Sequence, residues 1–309
     1  MEQVTAKKYK LKKYENAKEA LIGFLMACGP FVGWVIFGFL PMAISLYLSF
    51  TYMPILDIAS AEWVGLENYI AIFKDESGMM LTALANSLTY CLSVPINMGI
   101  SLFIANFLRK KLKGTTFVRS VLLIPSVCST VGVTLMWSWI LDNYGVINVL
   151  LTSLGLNSVG FISDANWFMS SVLLISAWQN GTNIILMQSA LSNIKTELCE
   201  AARIDGANDL IVFWKVIVPC ITPTLFYLFI MQTVAAMQEM GIMQIISGNG
   251  FGPGNKAVTL SYYMYLMTFN FNTRLGLGMA SALGWVVAIV MIIFTKVNFK
   301  LSDKWVCYD

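Results

Sequence analysis

The sequence contains no histidine, and only 12% of its 309 residues are charged. Without imidazole, catalysis by a histidine base and the common histidine-containing zinc sites are excluded. The six cysteines, Cys28, Cys91, Cys128, Cys199, Cys220 and Cys307, are scattered and form no Cys-x-x-Cys pair. They encode no metal knuckle or redox dithiol and read as small apolar residues. No Gly-x-x-x-x-Gly-Lys-Ser/Thr stretch occurs, and there is no room for a nucleotide-binding domain, so the chain does not hydrolyse ATP by itself. So few charges also exclude an ordinary soluble domain.

What is abundant is apolar surface: 57% of residues are hydrophobic and the mean hydropathy is +0.70. Six runs reach about the 20 residues needed to cross a bilayer, near 21–50, 84–108, 118–141, 167–191, 216–240 and 277–296. They predict an all-α transmembrane protein with six membrane-spanning helices. The first run carries Pro30 and Pro41 and is too long for the apolar core of a cleavable signal peptide.

Lys and Arg gather in alternate breaks: Lys7, Lys8, Lys10, Lys12, Lys13 and Lys18; Arg109, Lys110, Lys111, Lys113 and Arg119; Lys195, Arg203 and Lys215; Lys296, Lys300 and Lys304. The other breaks hold only Lys74, Lys256 and Arg274. This asymmetry predicts that both termini are cytoplasmic, with residues 1–20 a basic tail and 21–309 the transmembrane domain. The net charge of +3 thus reports topology, not nucleic-acid binding, although the tail is also suited to membrane lipid of negative charge.

Polar residues recur inside the runs. Asn86, Thr89, Ser93, Asn97 and Ser101 share one helical face of the second. Gln179, Asn180 and Asn183 lie mid-way along the fourth, with Gln179 and Asn183 one turn apart. Gln232, Gln238 and Glu239 lie on the fifth, where a carboxylate is costly unless it has a task. Two readings stay open for all of these: hydrogen bonding between helices, or a solute pathway. In the third run, Pro125 predicts a kink, Arg119 an inner cap, and Trp137 and Trp139 the outer interface. Gly276, Ala280 and Gly284 at four-residue spacing predict close packing on another membrane helix.

Between the fourth and fifth runs lies a polar break. Leu191, Ile194, Leu198, Ala201 and Ala202 recur at helical spacing as an apolar stripe, with Glu200 on the opposite side and Arg203 placed to pair with it. Gly206 is suited to stop this helix, and Asn208 or Asp209 to cap the next. The alternative is an amphipathic helix lying at the headgroups. Its shortness and mixed charge weigh against that.

The pattern Leu198, Glu200, Ala201, Ala202, Asp205, Gly206, Ala207, Phe213, Ile217 and Pro219, within a loop spanning about 191–219, resembles the EAA loop of binding-protein-dependent ABC importer permeases. The carbohydrate permeases of maltose and glycerol-phosphate type are the nearest in kind. Trp63-Val-Gly65-Leu66-Glu67-Asn68-Tyr69 resembles their "VGLxNY" box, and the glycine-rich stretch from Ser247 to Asn255 resembles an expanded "TGGGP" turn. The resemblance implies a type I ABC importer permease fold, multi-pass in the bacterial plasma (inner) membrane. It implies a second homologous permease, two copies of a cytoplasmic ABC ATPase that use the ATP, and an extracytoplasmic sugar-binding protein. No cofactor or metal is implied on this chain. Leu198, Glu200, Ala201, Ala202, Asp205, Gly206 and Ala207 would be the coupling residues. Asn86, Ser93, Asn97, Gln179, Asn183, Gln232, Gln238 and Glu239 would be candidates for the pathway. The family often carries an Asp where this chain has Gly241. Two rival classes make other demands. An ion-driven carrier predicts several intramembrane acids and an internal repeat, and a membrane-embedded enzyme predicts clustered His or Asp.

Overall fold

The computed structural model describes residues 17–53, 61–74, 77–109, 114–269 and 276–302. The basic cluster from Lys7 to Lys13, Lys110, Lys111, Lys113, Arg274, Lys304 and Cys307 lie outside the described residues. In hydrocarbon a backbone must satisfy its own hydrogen bonds, and the apolar runs accordingly appear as helices.

The first run is one rod: α1 (Ala17–Trp34), a π-helical turn (Val35–Phe39) and α2 (Leu40–Leu48). The turn immediately precedes Pro41, which lacks the N–H that an unbroken ladder would need. Within Leu21–Leu48, none of the most apolar window is buried against the rest of the chain. A short hairpin follows, β1 (Thr51–Tyr52) antiparallel to β2 (Glu62–Trp63), then α3 (Glu67–Phe73). The "VGLxNY" residues hold this corner. Asn68 donates to the carbonyls of Ser49 and Thr51, each at 2.9 Å, and the Tyr69 hydroxyl donates to Ser49 Oγ at 2.8 Å. Trp63 stays exposed and stacks on Phe50.

Next come α4 (Met79–Tyr90) and α5 (Ser93–Arg109), then α6 (Thr115–Val127) and α7 (Thr130–Ile140), and α8 (Val146–Ser153). The bend expected at Pro125 falls just beyond it: Cys128 is extended, and α6 and α7 meet at 96°. The fourth run becomes α9 (Ala165–Trp178) and α10 (Gly181–Ser192). The loop region holds α11 (Thr196–Ile204), α12 (Asp209–Val212), a π-helical turn (Phe213–Ile217) and α13 (Val218–Cys220). The chain ends with α14 (Thr222–Met237), α15 (Gly241–Ile246), α16 (Leu260–Phe269) and α17 (Gly276–Ser302).

Among the described residues, four helical segments are long and apolar enough to cross a membrane: Leu21–Leu48, Met79–Arg109, Thr222–Ile246 and Gly276–Ser302. The bent pair α6–α7 makes a fifth if it is one span. The expectation of six is met only this far. The run at 167–191 is divided at Gln179–Asn180, so neither α9 nor α10 reaches crossing length by itself.

Three apolar clusters hold the helices together. Phe168, Val172 and Ile175 of α9 meet Tyr262 and Met243; Leu283 and Met279 of α17 meet Ala83 and Tyr263; Met187 and Leu191 meet Cys199, Val212 and Ile221 beneath the loop. Tyr263 is buried in the second of these clusters. Small residues allow the close approaches. A Cβ on Gly278 would run into the Thr51 carbonyl, and one on Gly181 into the Leu122 carbonyl of α6. The spacing of Gly276, Ala280 and Gly284 serves packing within the chain: Ala280 is buried, and a Cβ on Gly284 would stand 3.1 Å from the Met264 sulfur of α16.

Candidate functional site

Three interrupted helices build one polar cavity of about 180 Å³. The junction of α4 and α5 supplies Tyr90, Ser93 and Asn97. The break between α9 and α10 supplies Ser176, Gln179, Asn180 and Asn183. The last turns of α14 supply Gln232 and Ala235, and the short link between α14 and α15 supplies Glu239. Six of the candidate pathway residues thus come together: Ser93, Asn97, Gln179, Asn183, Gln232 and Glu239.

A hydrogen-bonded ladder orders one wall. Asn180 donates to the Asn97 carbonyl at 2.7 Å and to Ser101 Oγ at 2.9 Å. Its own Oδ1 accepts from Asn183 at 2.7 Å, and Asn97 Nδ2 donates to Ser176 Oγ at 3.1 Å. Two polar atoms are left over. Asn97 Oδ1 and Gln232 Nε2 are buried with no protein partner. Leaving such an atom unmatched costs about 1–3 kcal/mol unless something in the cavity bonds it. Glu239 is aimed by the backbone: one carboxylate oxygen accepts the Ile242 amide at 2.9 Å, at the start of α15.

Asn86 and Gln238 stand elsewhere. Asn86 is buried and donates to the carbonyls of Asn255 and Val258, at 2.8 and 2.9 Å. It clips the glycine-rich loop onto α4. That loop turns through positive φ at Gly248, Asn249, Gly252, Gly254 and Asn255. Gln238 is exposed and borders a separate cavity with Met42, Met264 and Met291. α14 ends at Met237, so both residues lie past the helix, and there Gln238 borders this cavity while Glu239 borders the polar one. Sequence reasoning missed Tyr90 and Ser176; Asn180, for which both readings stood open, bonds to α5 and also lines the cavity. Tyr90 precedes Ser93 and Asn97 by three and seven positions, which is the signal that would have found it.

The loop forms the expected helix–Gly corner–helix. α11 ends at Gly206, whose φ is +86°. The Ala207 amide donates to the Ala202 carbonyl at 2.9 Å and the Gly206 amide to the Arg203 carbonyl at 3.0 Å, the paired bonds of a Schellman cap. Asn208, not Asp209, caps α12: its Oδ1 accepts the Ile211 amide at 2.9 Å. Two expectations are corrected. Arg203 pairs with Asp209 at 2.9 Å, not with Glu200, because the corner folds α12 back toward it. Leu198 is exposed, and the inward face is Leu191, Ile194, Cys199 and Ala202. Glu200 and Ala201 are also exposed, as are the apolar residues Leu198, Ile204, Leu210 and Trp214 of the same loop region. Among the described residues, no group of three or more Cys, Asp or Glu is arranged to hold a metal ion.

Residues 97–305 match the family described as binding-protein-dependent transport system inner membrane component. The probable ABC transporter permease protein YesP of Bacillus subtilis (strain 168) is 32% identical over 295 residues, spanning 94% of each chain. The multiple sugar-binding transport system permease protein MsmF of Streptococcus mutans is 29% identical, over 92% of this chain and 96% of that one. Among solved structures, a chain of a bacterial ABC transporter involved in the import of the acidic polysaccharide alginate superposes with a TM-score of 0.80. It covers 93% of this chain and 96% of that one at 23% identity, and so speaks for the fold.

Proposed function

The chain belongs to the binding-protein-dependent transport system inner membrane component family, and we propose that it carries a sugar or oligosaccharide through the polar cavity, driven by a separate ATPase. It is an inner-membrane permease subunit and not itself an enzyme. The observation that carries the reading is the convergence of Asn97 from one span and Gln232 and Glu239 from another on one cavity, with two buried polar atoms unmatched. Amide and carboxylate groups suit a polyhydroxylated solute, which both donates and accepts hydrogen bonds. A relative named for multiple-sugar transport supports the same substrate class.

In this reading the chain crosses the membrane six times with both termini inside, α9 and α10 together making the sixth crossing. A second, homologous permease completes the pathway, two ATPase copies grip the exposed surface around Glu200 and Ala201, and an extracytoplasmic binding protein delivers the sugar. ATP binding moves α11, and the corner at Gly206 passes the motion to α14, switching access from one side to the other. The two sites are coupled through a two-state element that both ligands bias.

Reconstitution of the whole complex in proteoliposomes tests this. ATP-dependent uptake of a radiolabelled sugar that falls at least tenfold in Gln232→Ala supports the cavity. Uptake driven by a membrane potential without ATP would favour an ion-driven carrier instead. A single acid in the described cavity lining speaks against that class.

A further inference from the structure

Glu239 is the one ionisable carboxylate on the cavity wall, and no Lys or Arg lines it; the chain has no His to supply a cation. The other polar side chains of the described lining are amides and hydroxyls, and Asn97 Oδ1 and Gln232 Nε2 lie buried without partners. We infer that Glu239 fixes the charge class of the solute: the cavity admits uncharged saccharides and turns back anionic ones, such as uronates and sugar phosphates. This rests on the import reading above and goes further by naming which sugars pass.

The argument is one of complementarity. A neutral sugar offers hydroxyl protons to the free carboxylate oxygen of Glu239 and to Asn97 Oδ1, and hydroxyl oxygens to Gln232 Nε2. An anionic sugar brings a second negative charge beside this wall, whose described residues offer no cation to offset it. Like charges held close disfavour each other, and discrimination arises as much from what a site repels as from what it binds. The carboxylate cannot easily swing aside, because its Oε1 is tied to the Ile242 amide. Glu239→Gln keeps an oxygen for that amide and removes only the charge, so it separates charge selection from folding.

Two measurements on the complete complex in nanodiscs test this. The first needs no knowledge of the sugar. With the native cysteines replaced, Ala235→Cys sets a thiol on the cavity wall one turn before Glu239. A cationic methanethiosulfonate reagent should modify it about tenfold faster than an anionic one of equal size, and Glu239→Gln should bring the ratio to about twofold. Equal ratios in the two backgrounds would overturn the inference. In the second, the complex is held with a non-hydrolysable ATP analogue and offered a radiolabelled neutral trisaccharide or its uronate counterpart. The parent complex should retain the neutral sugar about tenfold better, and Glu239→Gln should shrink that preference to about twofold. A preference for the uronate, or one unmoved by Glu239→Gln, refutes the charge filter. Retention of the neutral sugar that ignores Gln232→Ala would instead count against the import reading itself.

Discussion

The Asn180 side-chain amide donates to the backbone carbonyl of Asn97 at 2.7 Å, joining the break between α9 and α10 to the polar face of α5. The carbonyl it meets belongs to the residue whose own Oδ1 is unmatched in the cavity. One residue therefore sets the position of another that lines the cavity.

Asn180→Leu removes both donated bonds and leaves Ser101 Oγ and Asn183 Nδ2 without their partner. We expect a loss of about 1–3 kcal/mol. Thermal unfolding of the purified complex in detergent measures it, and an unchanged midpoint would show that the ladder contributes little.

Asn86→Ala should act on the loop rather than on the cavity. It deletes the bonds to Asn255 and Val258, again worth about 1–3 kcal/mol locally. Limited proteolysis from the outer side should then cut within 247–255 faster than in the parent chain. Equal cutting rates would mean that the glycine-rich turn is held by other contacts.

At the corner, Gly206→Ala places a side chain at φ +86° with open space around it. The cost is about 1–2 kcal/mol of backbone strain, and the protein should still fold. Gly206→Pro forbids that φ and deletes the amide bonded to Arg203. Transport should be lost in the second variant and kept in the first. Glu200→Lys reverses a fully surface-placed charge and should uncouple ATP hydrolysis from uptake without lowering expression; wild-type uptake in it would remove this surface from the coupling path.

Gly278→Leu should be the most damaging of these changes. Its Cβ would collide with the Thr51 carbonyl and crowd Asn68. Overpacking of this kind costs about 1–3 kcal/mol or more. Membrane levels of the variant, read by immunoblot, should fall well below those of Gly284→Ala, where only the flexible Met264 side chain must shift.

Much of this was legible in the chain because bilayer thickness and helical periodicity are strong constraints. The runs, the corner at Gly206 and six of the cavity residues follow from them. The break at Gln179–Asn180 was not legible, since averaging hydropathy over twenty residues hides two amides in an apolar run. Neither was the choice between Gln238 and Glu239, which lie past the end of α14, where the helical period no longer sets the direction of a side chain. Asn86 shares a sequence stripe with Ser93 and Asn97, yet the turn after Tyr90 and the arrival of Asn255 give it another task. Arg203 and Glu200 have ordinary pairing distance along a helix; only the folded corner reveals Asp209 as the better partner. That pair is exposed on both sides, so its weight in stability is small.

The Schellman bonds across Gly206 leave little slack at the joint, and Cys199, Ala202, Ala207 and Val212 wedge its inner side against Leu191. A push on α11 is therefore not absorbed by bending there. In the proposed cycle the elbow would turn as a solid piece, so that whatever displaces its tip would displace the root of α14.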